Sequence, residues 1–185
     1  QTITAADVTA TYGDTDKSIS ATTNGNGIIS YAVKSGSEEY IDVGSSTGAL
    51  TIKKAGTATV VVTASETATY ARAAKEVTVT INSKAMTVSA EDVNVTVDGQ
   101  PHGITVNVTD PTTGYTVKYG TEAGGYTLDA SPTQTEAGTK TIYYQVTADN
   151  YTTYTGSATV TVNAKQTQTI TAADVTATYG DTDKS

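Results

Sequence analysis

Apolar and polar side chains alternate along almost the whole chain. In segments such as 77–81 and 158–162, Val, Ile or Ala occupies every second position and Thr occupies the positions between them. Alternation with period two places the apolar residues on one face of an extended strand and the polar residues on the other. Thr suits the wetted face because it is β-branched and carries a hydroxyl group. No segment shows a helical period over a useful length, so the pattern predicts an all-β chain.

Turns rich in Gly, Asn and Asp interrupt the alternation roughly every 10 residues, which is typical of a β-sandwich. In the first half of the chain the pattern predicts strands at 8–12, 19–21, 31–33, 40–43, 49–52, 57–64 and 76–81. In the second half it predicts strands at 93–97, 104–108, 115–119, 126–129, 139–148 and 158–162. In the long strand 139–148 we expect every second residue to point inward, namely Ile142, Tyr144, Val146 and Ala148. The residues between them should point outward, namely Thr141, Tyr143 and Gln145.

The chain begins to repeat itself near its end. Residues 168–185 are identical to residues 1–18, at an offset of 168 − 1 = 167 positions. Identity over 18 positions indicates one full period followed by the opening of the next, because repeat architectures leave this signature. We expect the chain to be an internal segment of a longer protein, whose export and anchoring signals lie elsewhere.

A weaker repeat divides the period into halves. Residues 55–60 match 137–142, and residues 77–82 match 158–163, at offsets of 82 and 81. The predicted strand 139–148 is two residues longer than its counterpart 57–64, and a difference of two keeps every side chain on the same face. The sequence therefore predicts two homologous sandwich domains of about seven strands each, 1–83 and 84–166. The remainder, 167–185, would supply the first strands of the next copy.

Composition limits the chemistry and the partners. The chain has no Cys, no Phe and no Trp, so each domain relies on an aliphatic core supplemented by 12 Tyr. The formal net charge is −8 and the pI is about 4.4. An acidic chain repels phosphate backbones and anionic lipid surfaces, which disfavours nucleic acids and membranes as partners. No apolar run reaches the 18 residues of a membrane span, so we expect no membrane insertion.

Two groups of short motifs resemble bacterial Ig-like surface repeats. The first group comprises Tyr12-Gly13-Asp14 and the segments 55–60 and 70–73, and it is similar to the MBG type of repeat. The second group, in 98–103, 137–139 and 148–151, is similar to a related repeat of the same surface proteins. The resemblance covers essentially the whole chain. It implies tandem Ig-like sandwiches, an extracellular location on a bacterial cell surface and a parent linked to the cell wall. It transfers no catalytic residue, and although some members are credited with glycan binding, no binding motif matches here.

Candidate catalytic and metal-binding groups are few. His102 is the only His, and it lies in a turn beside Pro101, without the partners that a general base or a metal site needs. Asp14 and Asp16 are the best candidates for Ca²⁺, but no Asp-x-Asp-x-Asp-Gly loop supplies the 6–8 oxygens that this ion prefers. We therefore predict no enzyme activity, no metal and no cofactor.

A covalent Lys–Asn cross-link is an alternative source of stability in cell-surface domains of this kind. Such a bond needs a buried Lys, an Asn and a carboxylate, normally surrounded by aromatic rings. The candidate groups are Lys34, Lys118, Lys140, Asn82 and Asn163. The absence of Phe and Trp argues against it.

Two functional hypotheses follow. The first is a structural stalk whose partners are neighbouring repeats of the same chain, with strand exchange through 168–185 as a route to a fibre. The second is an adhesin module that binds a host glycan or protein, because Tyr side chains stack on sugars and anchor partners. The Tyr residues that would form this surface are Tyr115, Tyr119, Tyr143, Tyr151 and Tyr154. A contiguous exposed patch would favour binding, whereas buried rings would favour the stalk.

Overall fold

The computed structural model describes residues 1–180, and the regular structure in this range consists of β-strands. The first eight strands are β1 (Ile3–Ala5), β2 (Val8–Thr11), β3 (Ala21–Thr23), β4 (Ile29–Val33), β5 (Ile41–Val43), β6 (Leu50–Ile52), β7 (Gly56–Ala64) and β8 (Ala73–Asn82). The remaining six are β9 (Thr87–Ala90), β10 (Val93–Thr96), β11 (Val106–Asp110), β12 (Tyr115–Gly120), β13 (Gly138–Ala148) and β14 (Tyr154–Asn163). The predicted all-β sandwich class is confirmed. The described residues contain no helix that could span a membrane.

Strands β1–β8 form one β-sandwich, which we call unit 1 (residues 1–82). Its main sheet has the order β2-β8-β7-β4, and the two-stranded ribbons β1-β3 and β5-β6 complete it. Alternate residues of β7 and β8 are fully buried, including Val60, Val62, Val77 and Val79. They pack with Ile19, Ile41 and Leu50 from outside the main sheet. The period-two pattern thus supplies one apolar face per strand, and burial of those faces holds the unit together.

Strands β9–β14 form a second sandwich, which we call unit 2 (residues 86–163). Its main sheet has the order β10-β14-β13-β12, and β9 and β11 form a ribbon. Ile142, Tyr144 and Val146 of β13 are buried as predicted, and Ala148 is half-buried. Strand β13 has 11 residues and β7 has 9, so the predicted difference of two is confirmed.

Unit 1 has eight strands and unit 2 has six, close to the predicted number of about seven per domain. Segment 126–129 was predicted as a strand, but it makes only an isolated bridge between Leu128 and Tyr119. A turn with Gly124 at φ 87° precedes it, and Leu128 is 42% exposed, so no sheet face covers its apolar side. Strands β1 and β9, of three and four residues, were not predicted.

One backbone hydrogen bond recurs in both units and fixes which residues correspond. The amide of Tyr12 donates to the carbonyl of Asn82 at 2.8 Å, and the amide of Val97 donates to the carbonyl of Asn163 at 2.9 Å. Each bond extends a parallel pair of strands, β2 with β8 and β10 with β14. Val97 of unit 2 therefore stands in the position of Tyr12 of unit 1.

A second matched pair lies where the chain crosses from the ribbon to the main sheet. The carboxylate of Asp7, between β1 and β2, accepts a hydrogen bond from the amide of Thr78 at 2.8 Å. The carboxylate of Asp92, between β9 and β10, accepts one from the amide of Thr159 at 2.7 Å. This bond lowers the pKa of Asp92. Each unit thus ties its first crossing to its last strand in the same way.

The terminal segment differs from the prediction that 167–185 contains the first strands of the next copy. Residues 164–180 form no strand, and residues 181–185 lie outside the described range. Ile170 is 91% exposed and Val175 is 65% exposed, whereas their counterparts Ile3 and Val8 pack against the core of unit 1. The two copies differ in strand pairing: β1 pairs with β3 and β2 with β8, whereas residues 164–180 belong to no strand.

Candidate functional site

The two units meet at a joint built around the short linker 83–85. Lys84 forms a parallel bridge with Tyr151, in the connection between β13 and β14. The amide of Lys84 donates to the carbonyl of Asn150 at 2.9 Å, and the amide of Thr152 donates to the carbonyl of Lys84 at 2.9 Å. Both backbone groups of Lys84 are therefore bonded to unit 2. A linker held in this way cannot act as a free swivel, because rotation would break both bonds.

The side chain of Lys84 belongs to a group of three polar residues. Its Nζ lies 2.6 Å from Oδ2 of Asp110 and 5.8 Å from the centroid of the Tyr151 ring. The hydroxyl of Tyr151 donates to Oδ1 of Asp110 at 2.8 Å. Asp110 thus accepts from both partners, one on each carboxylate oxygen. Because Lys84 and Asp110 are 41% and 34% exposed, the ion pair alone would contribute little; its effect here is to orient the Tyr151 ring.

Charge and hydrogen bonding shift all three groups in a consistent direction. Lys84, and after it Tyr151, lower the pKa of Asp110 by hydrogen bonding to its carboxylate. The hydrogen bond to Asp110 raises the pKa of Lys84. The hydrogen bond to Asp110 also raises the pKa of the Tyr151 hydroxyl. The arrangement is therefore most favourable with Asp110 ionised, Lys84 protonated and Tyr151 neutral.

Unit 1 contacts this group directly. The rings of Tyr12 and Tyr151 meet edge to face, with centroids 5.8 Å apart and an angle of 70° between the planes, a geometry that aromatic pairs prefer. The amide of Ala55 donates to Oδ1 of Asn150 at 2.8 Å. Asn150 has a positive φ of 67°, which Asn tolerates better than most residues. Unit 2 is thus held to unit 1 through the linker, through an aromatic contact and through a side-chain hydrogen bond.

The five Tyr residues predicted as a ligand surface do not share one exposed face. Tyr119, Tyr151 and Tyr154 pack against the core of unit 2. Tyr154 stacks on the buried Tyr144, with ring centroids 6.3 Å apart. Tyr115 is 37% exposed and pairs with Ala148 at one end of the β12–β13 pair.

The fifth, Tyr143, pairs with Gly120 and lies on the opposite face of β13 from Tyr144. The parity of the residue numbers along β13 carried this information, because adjacent residues of a strand point to opposite faces. The sequence offers a weaker indication that Tyr151 contacts unit 1, because it shows only a Tyr that follows an Asn in a turn. Its position in the joint was not predicted.

The other candidate groups are engaged in local structure. Nε2 of His102 lies 2.9 Å from Oδ1 of Asp98, within a turn. A carboxylate oxygen of Asp14 accepts from the amide of Thr11 at 3.0 Å, and this bond lowers the pKa of Asp14. Among the described residues, no cluster of three or more His, Asp or Glu side chains could hold a metal ion.

The lysines considered for a covalent cross-link lie near other partners. Lys34 forms an ion pair with Glu76 at 2.7 Å, and both side chains are about half exposed. Lys118 forms an ion pair with Asp129, and Lys140 donates to the carbonyl of Thr133. None of the three is buried, as the cross-link would require.

No protein-family model matches the chain, and no curated protein matches it. The chain is similar in fold to human protocadherin-24 EC1-2, with 11% identity, a TM-score of 0.36, and coverage of 86% of this chain and 95% of that chain. It is also similar to the titin domains z1z2 solved in complex with telethonin, with 14% identity, a TM-score of 0.42, and coverage of 88% and 94%. For Drosophila N-cadherin EC1-4 the identity is 13% and the TM-score 0.35, and the match covers 90% of this chain and 50% of that chain. These likenesses concern the all-β sandwich fold, so function is argued from the residues of this chain.

Proposed function

We propose that the chain is a spacer, namely one two-unit period from the stalk of a bacterial extracellular surface protein of the MBG type. Its role is to hold distance and to transmit force, without catalysis, metal or cofactor. The observation that carries this proposal is the joint, in which the backbone of Lys84 is bonded to unit 2 and Tyr12 and Ala55 contact Tyr151 and Asn150. A joint with contacts on several sides resists bending, and a stalk needs stiff joints in order to extend.

The order of strands supports the same role. In unit 1 the parallel strands β2 and β8 lie near the beginning and the end of the unit's sequence, respectively. In unit 2 the parallel strands β10 and β14 have the same positions. When the ends of a unit are pulled apart, parallel strands of this kind slide along each other. The hydrogen bonds between them are then loaded together rather than one after another. This arrangement suits a chain that carries tension.

The dimensions also fit a spacer. Strand β14 has 10 residues, which at about 3.3 Å per residue gives a unit about 33 Å long. Two units end to end would extend a period over roughly 70 Å. Because residues 168–185 repeat residues 1–18, length could grow in steps of one period. The natural partners of each unit are then the neighbouring repeats of the same chain.

Small-angle X-ray scattering tests this proposal on a two-period chain, in which residues 1–167 precede the whole sequence. We expect a rod-like profile with a maximum dimension about twice that of one period. A glycan array probed with the same sample should give no signal above the signal of an unrelated acidic β-sandwich protein. A compact profile, or a specific glycan that depends on an exposed Tyr such as Tyr115, would contradict the spacer and support the adhesin module.

A further inference from the structure

The end of unit 1 that faces away from the joint carries two exposed apolar side chains. Ile28 is 78% exposed and Tyr70 is 37% exposed. Both are held in fixed backbone geometry: the amide of Ile28 donates to Oγ of Ser65 at 2.9 Å, and the carbonyl of Tyr70 accepts from the amide of Thr67 at 2.9 Å. We call this surface the leading face of unit 1. Because their backbone is fixed, these two side chains offer a small preformed apolar contact surface, and covering them would remove apolar area from water.

Unit 2 has the equivalent face, and there it is covered. Ile29 pairs with Ala64, the last residue of β7, and Tyr115 pairs with Ala148, the last residue of β13, so Ile29 and Tyr115 correspond. The residues before them, Ile28 in unit 1 and Gly114 in unit 2, therefore correspond as well. Tyr70 lies in the connection before β8 as Tyr151 lies in the connection before β14. In unit 2 this face contacts unit 1 through Asn150 and Tyr151. One leading face of the period is thus docked on another unit. On the other, the side chain of Gln1 bonds the backbone of Ser65 and Ala71, while Ile28 and Tyr70 stay exposed.

The surface that could cover the bare face is also present on the chain. The trailing face of unit 1, which receives unit 2, includes Tyr12 and Asn82. The trailing face of unit 2 carries Val97 and Asn163 at these positions, joined by the matching hydrogen bond. Beyond Asn163 the sequence continues into a copy of residue 1 at position 168, five residues later. Five residues span at most about 18 Å, so the next unit 1 must lie close to this face at a high effective concentration.

We propose that the leading face of unit 1, with Ile28 and Tyr70, docks onto the trailing face of unit 2 of the preceding period, with Val97 at its centre. The occupant is therefore a second copy of this chain's own repeat. This inference rests on the tandem arrangement of the proposed function and adds a second kind of joint to it.

The two joints differ in chemistry. In the joint within the period, Lys84 pairs with Asp110 of β11. Asp110 pairs with Thr87 of β9. In unit 1 the equivalent residue is Asn24, whose amide donates to the carbonyl of Thr2. Oδ1 of Asn24 already accepts from the amide of Thr2 at 2.7 Å. The joint between periods thus offers an apolar contact between Ile28 and Val97 where the joint within the period has an ion pair.

Electron–electron distance measurements on nitroxide labels test the docking in the two-period chain, because the sequence has no Cys and introduced Cys pairs are unique. One pair, Thr139→Cys in the first period and Arg72→Cys in the second, spans the joint between periods. The matched pair, Thr57→Cys and Thr153→Cys in one period, spans the joint within it. We expect distance distributions of similar narrow width. With 1 M NaCl both distributions should stay narrow, because screening weakens only exposed ion pairs, and neither the apolar contact between periods nor the backbone bonds of Lys84 within the period depend on one.

Substitution of Ile28 in the second period identifies the contact. Ile28→Ser should broaden the distribution across the joint between periods at least twofold and leave the matched pair unchanged. Leu128→Ser is the control, because Leu128 is a 42% exposed apolar residue beside the middle of β13 and away from both faces. A broad distribution between periods in the unsubstituted chain, beside a narrow one within the period, would overturn the docking while leaving the spacer standing. Broad distributions at both joints would overturn the spacer as well.

Discussion

Lys84 decides the geometry of the joint although nothing in its sequence context singles it out. It lies in the linker 83–85, whose short length itself restricts bending. What the sequence could not predict is that two side chains from distant parts of the chain converge on it. Asp110 and Tyr151 are 26 and 67 positions away from Lys84 (110 − 84 and 151 − 84). Contacts at such separations depend on the register of strands, which a single sequence does not specify.

The pH range over which this group stabilises the joint follows from the directions of the pKa shifts. The pKa of Asp110 is lowered, so its contribution is present above its usual value of 3.8 and is lost as the pH falls through the lowered pKa. The pKa of Lys84 is raised, so its contribution is present below 10.5 and is lost as the pH rises through the raised pKa. The joint should therefore be insensitive to pH between about 5 and 9.

A double-mutant cycle with Lys84→Met and Asp110→Asn checks this. At pH 7 each single variant should lower the thermal unfolding midpoint of the chain, and the double variant should lower it by less than their sum. The coupling should weaken as the pH falls through the lowered pKa of Asp110, because the carboxylate then loses its charge. The exposed pair Lys34 and Glu76, mutated in the same way, is the control and should show weaker coupling. Coupling that stays constant throughout an acid titration that protonates Asp110 would show that the ion pair does not contribute.

Gly156 supports the core of unit 2 by lacking a side chain. It pairs with Tyr144 across β13 and β14, and a Cβ at this position would lie 2.5 Å from the Tyr144 hydroxyl oxygen. Tyr144 is 3% exposed and stacked on Tyr154, so its ring has little room to move. We expect Gly156→Ala to destabilise unit 2 by about 1–3 kcal/mol through overpacking, as measured by urea unfolding. The adjacent exposed change, Ser157→Ala, should stay within about 0.5 kcal/mol; similar losses for both would refute the steric explanation.

Identical segments of the chain differ in secondary structure. Residues 3–5 form β1 and residues 8–11 form β2, while the identical residues 170–172 and 175–178 form no strand. Local propensity is the same in both copies, so pairing with β3 and β8 makes the difference. Strands depend on cross-strand neighbours more than on intrinsic preference.

Hydrogen exchange should show this contrast within one molecule. The backbone amides of the ladder between β1 and β3 should be protected, whereas those of residues 170–172 should exchange at rates close to those of an unstructured peptide. In the two-period chain the second copy should gain protection similar to that of the first. Equal protection at both sites in the single chain would mean that the terminal segment finds partners through strand exchange between molecules.

The long strands could be predicted well because their cores are purely periodic. Each of the strands β7, β8, β13 and β14 buries every second residue over its central part, and prediction and structure agree within about four residues at each end. Segment 126–129 alternates equally well, yet it forms no strand, because Leu128 has no apolar surface to cover it. The grouping of the Tyr residues was also beyond the sequence, since it depends on which strands are neighbours. Alternation identifies the face of a side chain but not what lies opposite.

At the scale of the whole molecule, tension enters and leaves each unit through neighbouring parallel strands. In unit 2 these are β10 and β14, which pair from Val93 with Val160 to Thr96 with Asn163. The bond from the amide of Val97 to the carbonyl of Asn163 closes this pair at the trailing face. Since sliding loads these bonds together, each one should contribute to the force at which the unit yields.

Removal of that one donor gives a test of the mechanical role. Val97→Pro deletes the N–H group and keeps an extended backbone at Thr96, and a lost hydrogen bond costs about 1 kcal/mol at equilibrium. In single-molecule pulling we expect unit 2 to yield at lower force, while unit 1, which retains the equivalent bond at Tyr12, keeps its force. Val97→Ala is the control, because it removes more of the side chain than Val97→Pro does and retains the donor. If Val97→Ala lowered the force as much as Val97→Pro, side-chain packing rather than the parallel strand pair would resist tension, and the force-transmitting role would lose its structural basis.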